Sequence, residues 1–168
     1  MKQNSKTKNL TLSALFLALG MVLPFLTGQI PTIGSMLLPM HIPIFLCAFI
    51  VGAPHAFLIG VITPLLRSML FGMPPMISAM IMAFELGAYG CIAGFLYQKT
   101  NKLYFSLIAS MLLGRIVWGM VSAIVYGMQS SAFGMQAFIA GGFTNAFLGI
   151  ILQLILIPVI VKLVQKNK

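Results

Sequence analysis

Acidic residues are almost missing from this chain. Its 168 residues include one Asp or Glu, and only 7% of the residues carry a charge. Soluble domains carry charge on about a quarter of their residues, whereas 60% of this sequence is hydrophobic. Together with a mean hydropathy of +1.07, these values exclude an ordinary soluble domain and indicate an integral membrane protein.

Cysteine and the common catalytic motifs are scarce or missing as well. Cys47 and Cys91 lie inside apolar segments and belong to no Cys-x-x-Cys motif, so we expect neither a disulfide nor a thiolate metal site. The spacing of His, Glu and Cys matches no zinc site, and neither a Gly-x-Ser-x-Gly turn nor a P-loop occurs. The sequence therefore predicts a protein that is not an enzyme, needs no cofactor or metal, and cannot hydrolyse ATP by itself.

The positive charge is confined to a few places, although the formal net charge is +9. The eight lysines fall in three groups that flank apolar segments: Lys2, Lys6 and Lys8; Lys99 and Lys102; and Lys162, Lys166 and Lys168. Lysines beside membrane spans mark the cytoplasmic side, which explains this pattern better than nucleic-acid binding does. We expect the lipid membrane, and no nucleic acid, as a partner.

Six apolar segments follow one another, separated by Gly/Pro clusters and polar residues. They cover about 10–26, 40–52, 55–71, 77–97, 103–126 and 138–163. With six spans, the basic tail 1–9, the basic loop 98–102 and the C-terminal lysines share the cytoplasmic side, whereas five or seven spans would separate the two basic tails. The sequence predicts an all-α integral membrane protein: a compact bundle of six transmembrane helices in one domain, 1–168, with both termini cytoplasmic.

The loops on the opposite side are uncharged and rich in Gly, Pro and Met. They cover 27–39, 71–76 and 126–137. We interpret 27–39 and 71–76 as outer gating loops over a cavity, with ordinary connectors as the alternative.

Three ionisable side chains lie inside the spans: Arg67, Glu85 and Arg115. Each costs about 2.5–3.5 kcal/mol at a helix centre on insertion scales, so all three should face the bundle interior and find partners. Residue counts place Glu85 about 14 Å from the outer end of its helix and the arginines about 18 Å from the inner ends of theirs. Because the hydrocarbon core is about 30 Å thick, a Glu–Arg pair is predicted near the midplane. Which arginine forms it stays open.

Other polar and aromatic residues align with these charges. Tyr89 follows Glu85 by four residues, and Trp118 follows Arg115 by three, so each pair shares a helix face. Asn145 brings an amide to the same half of the bundle. This convergence is typical of a site for a small polar ligand that carries a ring or an amide.

On the last segment Asn145, Gly149 and Gln153 share one face, and His41 lies at the outer mouth. The predicted substrate-binding residues are Glu85, Tyr89, Asn145, Arg115, Arg67, Trp118 and His41. The alternative is a structural network in which Glu85 neutralises one arginine and the other arginine bonds to backbone carbonyls.

Several stretches together resemble one family over nearly the whole chain. They are a basic N-terminal segment leading into Ala14-x-x-x-Ala18, the run MHIPIFLCAFIVGAPHAFLIGVITPLLRSMLFGMPP, the stretch AFELGAYG, and an Asn-bearing last helix. With these the chain is similar to the substrate-binding S-component of an energy-coupling factor (ECF) vitamin transporter.

The resemblance implies a bacterial, multi-pass cell-membrane protein that binds a small water-soluble vitamin or precursor with high affinity. It implies as partners a transmembrane coupling subunit, which would pack on the Ala14/Ala18 face, and two cytoplasmic ATPases. Glu85, Tyr89 and Asn145 stand where such proteins place ligand contacts.

The subgroup that the chain resembles includes components for hydroxymethylpyrimidine, for pyridoxine-like rings and for pantothenate. Glu85 with Tyr89 and Trp118 favours a protonatable, stackable ring, whereas a spare arginine would favour a carboxylate such as that of pantothenate. We favour the ring. The competing hypothesis is a self-sufficient small transporter or channel that uses Glu85 for proton coupling.

Overall fold

The computed structural model describes residues 2–27, 30, 36–128 and 138–166. Within these ranges all regular elements are helical. The α-helices are α1 (Lys2–Val22), α2 (His41–Ile50), α3 (Ala53–Phe71), α4 (Met76–Thr100), α5 (Leu103–Met128) and α6 (Phe147–Lys166). A 3-10 turn, Leu23–Thr27, continues α1, and a π-helical turn, Ala140–Thr144, precedes α6.

The described residues contain five helices that are long and apolar enough to cross a membrane. The spans are Lys6–Leu26, Ala53–Phe71, Met76–Thr100, Leu103–Met128 and Phe147–Lys166, whereas His41–Ile50 is shorter. At a rise of about 1.5 Å per residue, α2 reaches across about half of a hydrocarbon core. All residues from His41 to Phe49 are buried. The second predicted segment is therefore a short helix inside the bundle.

The chain reverses sharply between α2 and α3, within the sequence Gly52-Ala53-Pro54-His55. Gly52 has a φ of 126°, a backbone conformation that only glycine adopts at little cost. Pro54 follows in the first turn of α3, where its missing N–H costs no helical hydrogen bond. Through this turn α2 and α3 form a helical hairpin.

Helices α3 and α4 approach each other so closely that their backbones touch. A Cβ atom at Gly60 would lie 2.5 Å from the carbonyl oxygen of Leu86, and one at Gly90 would lie 2.5 Å from that of Ala56. No side chain fits at either glycine. Ala56 and Gly60, which are four residues apart on α3, therefore serve the internal packing of α3 against α4.

Contacts between helix ends show which ends of the bundle coincide. Near the ends of α4 and α6, Gln165 donates a hydrogen bond to the Tyr97 hydroxyl at 2.9 Å. The ammonium of Lys162 lies 5.8 Å from the ring of Tyr104 at the start of α5. The basic loop 98–102 and the basic end of α6 therefore lie together, at what we call the basic end of the bundle.

Three predictions about connecting segments have different outcomes. The basic tail 1–9 is helical from Lys2 onward, because lysine is a good helix former and α1 extends through it. The loops 27–39 and 126–137 lie mostly outside the described residues. In the described loop 71–76, α3 ends at Phe71 and is followed by Gly72 with a φ of 68°; a gating role for this loop stays a prediction.

Candidate functional site

Glu85 lies near the middle of α4 and is 2% exposed. Its Oε1 atom accepts a hydrogen bond from the hydroxyl of Tyr89 at 2.9 Å and one from Nη1 of Arg115 at 2.7 Å. Nε2 of His41 lies 3.6 Å from the same oxygen. One carboxylate thus gathers side chains from α2, α4 and α5.

Local sequence explains how these groups meet. Glu85 and Tyr89 are four residues apart and share a face of α4. A Cβ atom at Gly114 would collide with the ring of Tyr89, so this glycine lets the ring lie against α5 and brings Arg115 within reach. The rings of His41 and Phe45 lie 5.4 Å and 5.1 Å from that of Tyr89.

The predicted Glu–Arg pair is present, and its arginine is Arg115. The side chains of Arg115 and Glu85 are 7% and 2% exposed, so neither charge is solvated. Removing one partner of a buried pair costs about 3–5 kcal/mol, because the other charge is left uncompensated. The pair therefore holds α4 and α5 in register at this level.

A pocket of about 170 Å³ adjoins this cluster between α2, α4, α5 and α6. Its wall is formed by Leu38, His41, Tyr89, Ile108, Met111, Leu112, Arg115, Ile150, Gln153 and Leu154. Three predicted site residues, His41, Tyr89 and Arg115, thus line one cavity. Glu85 does not line the cavity. It accepts hydrogen bonds from Tyr89 and Arg115 on their side away from the cavity.

Gln153 also lines the pocket, although it is not among the site residues predicted from the sequence. Its side chain is fully buried, and among the described residues neither its Nε2 nor its Oε1 atom has a hydrogen-bond partner. The sequence alone could have indicated a functional role for Gln153, because it is the only polar side chain between Ala146 and Val161. Polar residues inside a membrane span are rare and often functional.

The structure does not bring Arg67 into this cluster. Its guanidinium donates a hydrogen bond to the backbone carbonyl of Met21 at the end of α1. It also lies 4.7 Å from the ring of Phe25 and 5.4 Å from that of Phe71. A cation at a helix C-terminus satisfies carbonyls that have no helical partner, which is the role that the structural alternative assigned to the second arginine.

Trp118 and Asn145 do not line the pocket. The ring of Trp118 stacks on that of Phe138 at 6.1 Å, and the guanidinium of Arg115 lies 6.0 Å from the Trp118 ring. Asn145 follows the π-helical turn, and its side chain is exposed.

The described part of the chain contains no group of three His, Cys, Asp or Glu residues that could hold a metal ion.

Comparison with protein-family models gives a match over residues 8–161, nearly the whole chain. The matching model is described as ECF transporter, substrate-specific component. No curated protein and no solved structure matches the chain.

Proposed function

Since the chain belongs to the family of ECF transporter substrate-specific components, we propose that it binds one small water-soluble vitamin or vitamin precursor for ATP-driven uptake. Proteins of this family are substrate-binding transport subunits and work with the membrane and ATPase components of an ECF transporter. We place this protein in a bacterial cell membrane, as the family implies. We place the basic loop 98–102 and the basic end of α6 in the cytoplasm, because they lie together at the basic end of the bundle, and the N-terminal lysines assign the N-terminus to the same side.

The observation that carries the proposal is the pocket beside Glu85. Its wall is mostly aliphatic, and a few polar groups, among them His41, Arg115 and Gln153, project from different helices. Small-molecule sites typically combine an apolar lining with a few convergent polar groups. The apolar walls would hold a ring, and the polar groups would orient it.

The pocket size favours a single ring. A cavity of about 150 Å³ holds one benzene molecule, and this pocket measures about 170 Å³. A substituted six-membered ring, such as hydroxymethylpyrimidine or pyridoxine, fits that volume better than the flexible chain of pantothenate does. The positions of the arginines also favour such a ring over pantothenate. Arg115 is already paired with Glu85, and Arg67 lies away from the pocket, against α1. No spare arginine among the described residues lines the pocket to favour a carboxylate.

Calorimetric titration of the purified protein in detergent tests this function. We expect a pyrimidine or pyridine precursor to bind with a dissociation constant in the nanomolar to micromolar range, and pantothenate to bind more weakly. If well-folded protein gave no heat with any water-soluble vitamin or precursor, the proposed function would be wrong.

A matched pair of variants tests the location of the site. Leu154→Trp puts an indole at a lining position and should abolish binding. Ile155→Trp adds the same group one residue later, at a position that is 62% exposed, and should leave the affinity unchanged. Equal loss of binding in both variants would place the ligand elsewhere.

A further inference from the structure

Gln153 has a fully buried amide in an otherwise apolar stretch of α6. Neither its donor nor its acceptor is satisfied by another described residue. Buried polar groups in folded proteins are nearly always hydrogen-bonded, and those that are not need an explanation. Because Gln153 lines the pocket, the explanation that fits this position is a partner that arrives with the ligand.

A glutamine amide offers a particular pattern. It is planar and holds an N–H donor and a carbonyl acceptor side by side. A ligand whose edge carries an acceptor and a donor that are bonded to the same carbon atom and point the same way can therefore form two parallel hydrogen bonds with it. The aliphatic residues Ile108, Leu112 and Leu154 also line the pocket, so such a ring would have apolar contacts.

We propose that Gln153 is a specificity-determining residue that recognises an amide-like edge, with a hydrogen-bond donor and acceptor bonded to the same carbon atom of a single-ring ligand. This inference rests on the proposed function, since it takes the pocket as the substrate site. Aminopyrimidines have such an edge in a ring nitrogen beside an amino group, and pyridine carboxamides have it in the carboxamide.

His41 supplies a second reason to expect polar atoms on the ligand. Its ring is buried, and its Nδ1 atom has no hydrogen-bond partner among the described residues. Like Gln153, it lines the pocket. A ligand substituent such as a hydroxymethyl group could pair with this nitrogen while the amide-like edge pairs with Gln153.

The same geometry disfavours two other candidate ligands. Pantothenate contains a trans secondary amide, whose N–H and C=O point in opposite directions and cannot both face one glutamine. Pyridoxine carries rotating hydroxyl groups, which impose no fixed donor and acceptor order. Gln153 would therefore select an aminopyrimidine or a carboxamide over both.

The test compares an aminopyrimidine that carries a hydroxymethyl group with an analogue in which methyl replaces the amino group. We expect the wild-type protein to prefer the amino compound by about 10- to 100-fold, because an amide left unpaired in the complex loses about that much affinity. Nicotinamide, titrated in parallel, shows whether a carboxamide edge is also accepted.

Two leucine variants test whether Gln153 causes the preference for the amino compound. Gln153→Leu should remove the preference and, without ligand, should keep or raise the melting temperature, because it deletes an unsatisfied buried amide. Gln165→Leu, at the basic end of the bundle where Gln165 pairs with Tyr97, is the matched control and should keep the full preference.

The outcomes separate this inference from the function on which it rests. If the wild-type protein bound pyridoxine tightly but neither amide-like ligand, Gln153 would not have the proposed role, while the uptake function would stand. The same holds if Gln153→Leu, with an unchanged melting temperature, kept the preference for the amino compound. If folded wild-type protein bound no vitamin or precursor, both proposals would be wrong.

Discussion

Glu85 connects three side chains that come from three helices. Its Oε1 atom accepts hydrogen bonds from Tyr89 and Arg115 and lies 3.6 Å from His41. Those three partners line the pocket, but Glu85 does not. Under the proposed function it is therefore a positioning residue, which fixes the groups that a ligand would contact.

A double-mutant cycle on Glu85 and Arg115 tests this role. Glu85→Gln and Arg115→Gln should each destabilise the protein by about 3–5 kcal/mol, because each leaves one buried charge uncompensated. The double variant should recover most of that loss, since two amides can pair without charge. Thermal melting in detergent measures the stability, and calorimetry measures whether ligand affinity falls in all three variants.

Arg67→Gln is the matched control for this cycle. It removes a buried arginine that bonds to the carbonyl of Met21 and lies outside the pocket. Stability should fall while ligand affinity stays unchanged. Additive losses in the Glu85/Arg115 cycle, or a loss of affinity in Arg67→Gln, would contradict the assignment.

Part of this cluster could be predicted from the sequence, and part could not. The four-residue spacing of Glu85 and Tyr89 and the cost of unpaired charges in a membrane were enough to predict a Glu–Arg pair beside a tyrosine. Residue counting placed Arg67 and Arg115 at the same depth, but depth does not say which helices are neighbours. Helix packing decides that, and it puts α5 beside Glu85 and the end of α1 beside Arg67.

At the scale of elements, α3 and α4 pack through glycines that leave no room for a side chain. Gly60→Ala and Gly90→Ala should each destabilise the protein by about 1–3 kcal/mol, since the new methyl group would overlap a backbone carbonyl. Gly127→Ala on α5 is the control, because a Cβ atom there meets nothing within 4 Å. It should be neutral or slightly stabilising, and equal melting temperatures for all three variants would refute this packing.

The apolar pattern predicted an all-helical chain and the places of its helices, but it predicted six spans, whereas five of the described helices are long and apolar enough to cross a membrane. An apolar run marks only the part of a helix that is apolar. The first turns of α1 are basic, so the sequence did not predict that they are helical. The segment 40–52 was predicted to be a membrane span, whereas α2 is a ten-residue helix, because an apolar run shows where a helix can lie and not where its backbone leaves the helical conformation. The sequence AGGFT has no pattern that predicts the π-helical turn before α6.

Helix α1 presents the surface proposed for the coupling subunit. Ala14 and Ala18 are both exposed and lie one turn apart on the same face. Small residues at this spacing let a partner helix approach closely. Ala14→Leu and Ala18→Leu should therefore block copurification with the coupling subunit and the ATPases while leaving ligand affinity unchanged.

Ala123→Leu on α5 is the matched control for that face, since Ala123 is also exposed but lies on another helix. It should preserve the assembly. If Ala14→Leu and Ala18→Leu lowered ligand binding as much as assembly, the face would serve the fold of the subunit itself and the proposed interface would be wrong.

At the scale of the whole molecule, a binding pocket alone cannot move a ligand against a gradient. Proteins of this family work with the membrane and ATPase components of an ECF transporter, so under the proposed function those components hydrolyse the ATP. The competing hypothesis takes its energy from protons through Glu85. The buried pair argues against it, because protonating Glu85 would leave the charge of Arg115 buried without a partner, which is costly.

Reconstitution in liposomes distinguishes the two energy sources. The chain alone should bind its ligand but should not accumulate it, with or without an imposed pH gradient. Adding the coupling subunit and the ATPases should give uptake that requires ATP and persists when an ionophore collapses the gradient. Uptake by the chain alone that follows the pH gradient and disappears in Glu85→Gln would instead establish a proton-coupled transporter. Arg67→Gln would then be expected to retain that uptake, because Arg67 lies against α1, away from the carboxylate that would carry the proton.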